Sequence, residues 1–556
     1  MKKNFPTSYM LHFAMMFAMS CGVANAQSVQ HDAEHDLLLE QHGEKWAAED
    51  KQIDAKLAAI QEKNGGKPPN IVYILVDDVG FGEFGNPILN KIRGYETPNI
   101  NKLGREGASF SRMYTEPSCT PTRAAFLTGR LPTRSHMLEA KIVPPEASGL
   151  HRDEVTIAEV LSEAGYNTVH VGKWHQGDIE ESMPHNQGFD RAYFPMHNQA
   201  TFNFMSWDAE DAGWGFNVAK RDTDPNYRMD DRFRPRDWAL GMEAVKGGQA
   251  HEWGTTPGDP NNYGYAYYNK LNDRYKKQVV EELNVLAKED KPFYLNYWPM
   301  IPLDFKRNGE YITPNGGVQV EAMRRLDENV GEILADLDRL GIADNTIVAL
   351  MGDNGAMMQA MPFSGYSDMI FRGGKGATTE GGIRVDAFVR WPEGIEADSV
   401  VGDIVHVSDL FTTFARAAQA TQNIPTDRII DGVDQMPLLM GVGNGRRDYI
   451  HVYDGPKLAA TIKEQYKVQW PSPGAAAWTM KIYDLFRDPR ELHPIKTQTM
   501  WAVESFIEMR ARHEAYKKKF PDRPETTGIP YAGIDNLRPE TKAMIEAYYA
   551  RQKFAE

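Results

Sequence analysis

Cysteine is nearly absent. The 556-residue chain has two, Cys21 and Cys119, too few for a disulfide scaffold. Long apolar runs are missing too. None reaches the roughly 18 residues that a transmembrane helix needs, so no membrane span is expected. Positive charge is in short supply: 62 basic residues face 77 acidic ones, a formal net charge of −15. A nucleic-acid binder normally needs a basic face, so nucleic acid is not expected as a partner. With 25% charged and 11% aromatic residues, the chain is globular rather than disordered. At about 150 residues per domain, the length fits two to four domains, or one large α/β core with an appendage.

Residues 1–26 read as a secretory signal. Lys2 and Lys3 give the positive end, Met10 to Met19 an apolar stretch, and Ala24-Asn25-Ala26 the small residues of a cleavage site before Gln27. The predicted location is therefore periplasmic or secreted. Lipoprotein anchoring at Cys21 is disfavoured, because Ala18 stands where such sites usually carry leucine. Cleavage leaves Cys119 as the one thiol. In an oxidising compartment it is a buried inert residue, a liability, or a site of special chemistry.

Residues 27–69 form a helical extension and linker. Leu37, Leu38, Trp46, Ile53, Leu57 and Ile60 fit one apolar stripe on a helix from His31 to Lys63, read as a packing helix. Gly65-Gly66-Lys67-Pro68-Pro69 ends it. Asn70 to Val76 is an almost continuous apolar run, as in a strand buried on both faces of a largely parallel sheet. Helical Thr156–Ala164 precedes extended Asn167–Val171. An amphipathic helix, Val318–Leu340, precedes the strand Ile347–Met351, and Ile383–Val389 gives one more strand. This alternation predicts an α/β sandwich over residues 70–444. About 196–275 the chain reads as inserted loops. Their aromatics (Trp207, Trp214, Phe216, Trp238, Trp253, Tyr263) either shape a pocket or pack the insertion itself. Residues 445–556 read as a small antiparallel sheet, from Asp448–Tyr453, Leu458–Trp470 and Ala477–Phe486, with a helical tail.

Gly80-Phe81-Gly82-Glu83-Phe84-Gly85 has the spacing of a dinucleotide fingerprint after a strand. It is rejected. The fingerprint must open a helix, and Asn86-Pro87 follows instead. Asp77 and Asp78 would also repel a pyrophosphate unless a cation lay between, so a metal is the better reading.

Asp77-Asp78 end the first strand, and Asp353-Asn354 end the strand Ile347–Met351. Strand ends of this kind are where α/β sheets build sites. Three carboxylates and an amide oxygen form a hard, all-oxygen set suited to Ca²⁺, with Mg²⁺ possible; zinc would prefer His or Cys. Cys119-Thr120-Pro121-Thr122-Arg123 predicts a helix opening at Cys119 and stopping at Gly129. A helix N-terminus favours anions. A thiolate nucleophile would fit there, but a cysteine hydrolase needs an oriented histidine rather than a carboxylate-held cation.

Cys119-Thr-Pro-Thr-Arg123-Ala-Ala-Phe-Leu-Thr-Gly129-Arg130 closely resembles the signature of the type I sulfatases, in the alkaline phosphatase superfamily. Gly165-Tyr166-Asn-Thr-Val-His-Val-Gly172-Lys173-Trp174-His175-Gln-Gly177 resembles their second signature. Asp77-Asp78-Val-Gly80-Phe-Gly82 and Asp353-Asn354-Gly355 resemble the two metal motifs. Arg372-Gly-Gly-Lys375 with Glu380-Gly-Gly-Ile-Arg384-Val385 resembles the downstream lysine motif. Tyr483-Asp-Leu485 and Asp488-Pro-Arg-Glu491 resemble the start of the C-terminal region. The matches run in family order from residue 70 to 491.

The resemblance implies a mostly parallel mixed sheet between helices, with a small C-terminal antiparallel subdomain. It implies a sulfate ester substrate, arylsulfatase-type hydrolysis, and conversion of Cys119 to Cα-formylglycine by a maturation enzyme. Metal ligands would be Asp77, Asp78, Asp353, Asn354 and the modified residue 119. One oxygen of the hydrated aldehyde would attack sulfur, and Asp353 could accept its proton. Lys173 and Lys375 would hold sulfate oxygens, Lys375 could protonate the leaving group, Arg123 would orient residue 119, and His175 would take the second diol proton. One position departs. Met300, in Pro299-Met300-Ile301-Pro302, stands where the family usually has histidine, and a thioether cannot donate a proton. Leaving-group assistance would then fall on Lys375 or on His197, with phenols favoured. The alternatives are a phosphonate or phosphate ester hydrolase of the same fold and a non-catalytic binder of sulfated ligands. The motifs leave the oligomeric state open.

Overall fold

In a computed structural model, the structure describes residues 29–141, 147–196, 241–254, 264–300, 306–307, 310–311, 317–356, 370–471, 480–495 and 500–528, and isolated helical residues beyond. Residues 1–26, read above as a signal and including Cys21, lie outside the described residues, as do His197, Trp207, Trp214, Phe216, Trp238 and Tyr263.

Seventeen strands are described: β1 Asn70–Val76, β2 Ala108–Tyr114, β3 Asn167–Gly172, β4 Arg191–Phe194, β5 Met242–Val245, β6 His251–Glu252, β7 Phe293–Trp298, β8 Lys306–Arg307, β9 Glu310–Tyr311, β10 Thr346–Gly352, β11 Arg384–Arg390, β12 Ser399–Val401, β13 Val405–His406, β14 Tyr449–Asp454, β15 Lys457–Lys463, β16 Tyr466–Gln469 and β17 Lys481–Asp484. Eleven form one sheet, ordered β12-β2-β11-β10-β1-β7-β3-β4-β5-β6 with β13 beside β2. Its centre, β10-β1-β7-β3-β4, is parallel.

β1 shows why its apolar run is continuous. Ile71, Tyr73 and Leu75 point into one core layer, where Tyr73 stacks on Phe126 at 4.1 Å between ring centres. Val72, Ile74 and Val76 point into the other, against Leu326 and Val330 of the helix Gly317–Arg339. A strand alternates its side chains, so two covered faces need apolar residues at every position. Each buried aliphatic chain contributes about 1.5–3 kcal/mol, which makes this layer a firm base for the loops above it. The helix Ile157–Glu163 opens with a reciprocal capping box, Thr156 with Glu159.

β11 is antiparallel to β10, which makes the mostly parallel sheet a mixed one, as expected; its apolar run reports burial, not direction. Two other expectations need correction. The extended stretch Leu458–Trp470 is two strands, because Glu464 takes a left-handed φ of 52° and turns the chain. The stretch expected to be loops adds β5 and β6 to the sheet edge and opens the helix Gly264–Leu286. Trp253 packs in the core against Tyr193 and Tyr275, with Arg274 over its ring.

β14 to β17 form a separate antiparallel sheet. Ile450, Val452 and Ile462 on one face meet Tyr114, Ile383 and Ile404 of the main unit. Val468, Trp470 and Ile482 on the other face cluster with Leu38 and Trp46 of the N-terminal helix Ala33–Lys63 and with Phe506 and Met509 of the helix Met500–Lys519.

Candidate active site

The carboxyl edge of the parallel strands gathers the motif residues. β1 delivers Asp77 and Asp78, β3 delivers Lys173 and His175, and β10 delivers Asp353 and Asn354. β2 runs the same way and leads to Cys119; β11 runs the opposite way, so Lys375 before it reaches this edge too. Cys119 opens the helix Cys119–Thr128, and Gly129 stops that helix at φ 67°.

The turn after β1 is closed by protein carboxylates. Gly82 and Glu83 donate their amides to Asp386 Oδ2 (2.6 and 3.1 Å), and Gly80 donates to Glu83 Oε2 (2.7 Å). A six-residue helix, Pro87–Ile92, does follow, capped by Asn86. The amides that would cradle a pyrophosphate are already used, which is the stronger reason against a dinucleotide.

Asp78 sits at φ 56°, a strained position for a residue with a Cβ. Its N–H donates to Asp353 Oδ1 (2.9 Å), tying the two metal motifs together. A Cβ at Gly355 would overlap the Gly381 carbonyl oxygen, so glycine lets the Asp353 turn press against the lysine-motif loop. Arg123, fully buried, donates to Asp353 Oδ2 at 2.7 Å and reaches Asp77 Oδ1 at 3.4 Å. Trp298 covers its guanidinium at 4.7 Å. Lys173 donates to Asp77. Lys375 donates to Asp78 Oδ1 (2.7 Å) and lies 2.8 Å from Cys119 Sγ.

His175 is linked through its backbone and its ring. It adopts φ 62°, and its carbonyl accepts from Thr120 Oγ1 (3.0 Å), beside Cys119. Its Nε2 meets the Lys141 carbonyl at 2.6 Å. A carbonyl can only accept, so Nε2 carries the proton and Nδ1 is the basic nitrogen of the neutral ring. Thr120, the Lys141 carbonyl and Trp298 were missed as supporting groups. Thr120 lies inside the signature; a carbonyl leaves no sequence signal. Met300 is fully buried in the apolar layer with Val171 and Tyr297.

Burial would raise the Asp77 carboxyl, but Lys173, Lys375 and Arg123 together hold it well below the usual carboxylate range. Burial pushes Asp353 up to about 6 against the pull of Arg123, with Asp77 adding to the rise. Burial and then Asp353 drive the Cys119 thiol well above its usual value, despite Lys173 and Lys375. A thiolate is therefore disfavoured here.

The donor atoms of Asp77, Asp78, Cys119 and Asp353 all lie within 4.8 Å of one another. Asn354 Oδ1 is buried with no hydrogen-bond partner among the described residues, while its Nδ2 donates to Asp78 Oδ1 at 2.9 Å. An oxygen-rich cluster with an orphaned amide oxygen fits a hard divalent cation. Asp77, Asp78 and Asp353 are matched in formal charge by Arg123, Lys173 and Lys375, so a divalent ion would make the site net positive and suited to an anionic ester.

A family model described as sulfatase matches residues 69–420. N-acetylgalactosamine-6-sulfatase of Mus musculus is 33% identical over 414 residues, covering 72% of this chain and 72% of that protein. Steryl-sulfatase of Rattus norvegicus is 31% identical over 517 residues, covering 78% and 86%. Arylsulfatase A of Homo sapiens is 31% identical over 401 residues, covering 70% and 71%. The solved structure of PsFucS1 sulfatase from Pseudoalteromonas sp. aligns with a TM-score of 0.72 at 26% identity, over 86% of this chain and 96% of that one. The fold is thus the alkaline phosphatase-like α/β sandwich with a small antiparallel sheet. The chain belongs to the sulfatase family.

Proposed function

We propose that this chain is an exported sulfate monoester hydrolase, with aryl sulfates its favoured class, and that residue 119 works as formylglycine made by a maturation enzyme. The observation that carries this reading is the Lys375 ammonium, 2.8 Å from Cys119 Sγ and 2.7 Å from Asp78 Oδ1. It joins the position of the nucleophile to the carboxylate cluster, as a site that must hold an oxyanion requires. Asp77, Asp78, Asp353 and Asn354 would hold Ca²⁺ or Mg²⁺, which would supply positive charge and lower the pKa of a hydroxyl beside it. Formylglycine supplies that hydroxyl once hydrated, in place of a thiol that burial keeps protonated.

The chain's own groups do the rest. Lys173 and Lys375 bind sulfate oxygens, and Arg123, fixed by Asp353 and Trp298, orients residue 119. His175, with Nε2 committed to Lys141, uses Nδ1 to take the proton whose loss lets sulfate leave. Met300 has no proton to give, so Lys375 protonates the departing oxygen. Phenolate needs that help least, which is why aryl esters are favoured.

The test is the steady-state hydrolysis of 4-nitrophenyl sulfate against the matched phenylphosphonate ester, by enzyme co-produced with a maturation enzyme. The sulfate ester should have the higher kcat/KM by about 100-fold, near 3 kcal/mol of transition-state preference. Equal or reversed rates would overturn the reading in favour of a phosphonate or phosphate hydrolase.

A further inference from the structure

A second buried cluster of metal-ligating groups lies among the described residues, built from Asp32, His451 and His513. We propose that these three side chains form a Zn²⁺ site, separate from the active-site carboxylates, that clasps the N-terminal segment to the C-terminal sheet and helix.

The donors come from distant parts of the chain. Asp32 precedes the helix Ala33–Lys63, His451 lies on β14, and His513 lies on the helix Met500–Lys519. All three are buried, with exposures of 2, 3 and 1%. Asp32 Oδ2 faces His513 Nδ1 at 3.1 Å and His451 Nε2 at 3.7 Å. Adjacent ligands on a tetrahedral zinc with bonds of 2.0–2.1 Å lie about 3.3–3.4 Å apart, so these separations bracket the required value. His451 Nε2 has no hydrogen-bond partner among the described residues.

The outward nitrogens are both engaged. His451 Nδ1 lies 3.2 Å from Thr461 Oγ1, and His513 Nε2 lies 2.6 Å from Tyr453 Oη. Such partners orient imidazoles that ligate metals. A plain ion pair between Asp32 and a protonated His513 accounts for one histidine and leaves His451 Nε2 bare in the interior; a cation uses both. Nearby positive charge is offset. Arg134, 3.6 Å from Asp32 Oδ1, is bound twice by Asp431 (2.7 and 2.8 Å), and Lys517 pairs with Asp522 at 2.6 Å. Two imidazoles and one carboxylate suit zinc, whereas the active-site cluster is a hard oxygen set, so the two sites should sort their ions by chemistry.

The experiment uses the full chain, stripped with chelator and returned to millimolar Ca²⁺ so that the oxygen cluster is filled. Zn²⁺ is then titrated by calorimetry, with metal content measured after gel filtration. One Zn²⁺ per chain should bind with a Kd near or below ~1 μM and raise the Tm. His451→Gln and His513→Gln should each weaken binding by about 100-fold, and Asp353→Asn should retain it. Failure of the wild-type chain to take up zinc would overturn the proposal, even where a histidine variant does not fold. Uptake unchanged in both histidine variants would overturn it as well. Neither result bears on hydrolysis at residue 119.

Discussion

Lys375 Nζ lies 2.8 Å from Cys119 Sγ, within proton-transfer reach of the position where the ester would be attacked. Lys375→Met should keep the fold, because Lys375 is at the surface of the cluster with 15% of its side chain exposed. Loss of a general acid costs about 10²–10⁴ in rate. The loss should be larger for an alkyl sulfate than for 4-nitrophenyl sulfate, whose leaving group needs no proton. Parallel kcat measurements on the two esters check this. An equal loss would confine Lys375 to sulfate binding.

Formylglycine formation converts the CH₂SH of Cys119 to CHO. The peptide holding residue 119 should therefore be lighter by about 18 Da in enzyme from its native source. The intact chain should begin at Gln27. Specific activity should rise in proportion to the converted fraction across preparations. Full activity in unconverted protein would rule the aldehyde out.

Removing the cation should silence the enzyme. Arg123, Lys173 and Lys375 only balance the charge of Asp353, Asp77 and Asp78, so the net positive charge that an anionic ester needs would come from the ion. Dialysis against a chelator should abolish hydrolysis, and Ca²⁺ or Mg²⁺ should restore it. Restoration by Zn²⁺ in preference to both would contradict the hard oxygen donor set.

The strands that carry the site were legible because β1 and β10 are covered on both faces, which forces continuous apolar runs. The charged residues at their ends stood out for the same reason: Asp77 and Asp353 follow directly on strands that tolerate no charge. Direction was not legible, since the β11 pattern is the same whichever way it runs. The supporting groups were legible only in part. Trp298 could be read as core, and nothing local places its ring over Arg123. Asp32, His451 and His513 are far apart in sequence, so only the packing of three elements unites them.

The Arg123–Asp353 pair should matter to stability as well as to activity. Both side chains are fully buried, and the contact is 2.7 Å. Arg123→Met leaves Asp353 unpaired in the interior, which costs about 3–5 kcal/mol. Adding Asp353→Asn should recover part of that loss without restoring activity. Urea unfolding of the single and double variants measures both terms. A single variant as stable as wild type would mean that the cation alone neutralises Asp353.

Glu116 supplies a pH dependence of stability. It lies between β2 and the helix Cys119–Thr128, 2% exposed, with Oε1 lacking a hydrogen-bond partner among the described residues. His406 Nε2 is 3.6 Å from Oε1, but burial and then Arg447 hold that imidazole down to about 4, so it is neutral near pH 7. Burial, with Asp431 adding, pushes the Glu116 carboxyl from 4.5 up to about 8. The folded chain therefore binds this proton more tightly than the unfolded chain. Stability from this group is full below pH 4.5 and falls as pH rises from about 4.5 to 8; above that it is level. Glu116→Gln mimics the protonated acid at every pH. The variant should match wild type near pH 5 and exceed it in Tm near pH 8. Thermal unfolding across this range checks the sign: a variant less stable than wild type at pH 8 would mean that Glu116 is ionised and paired in the folded protein.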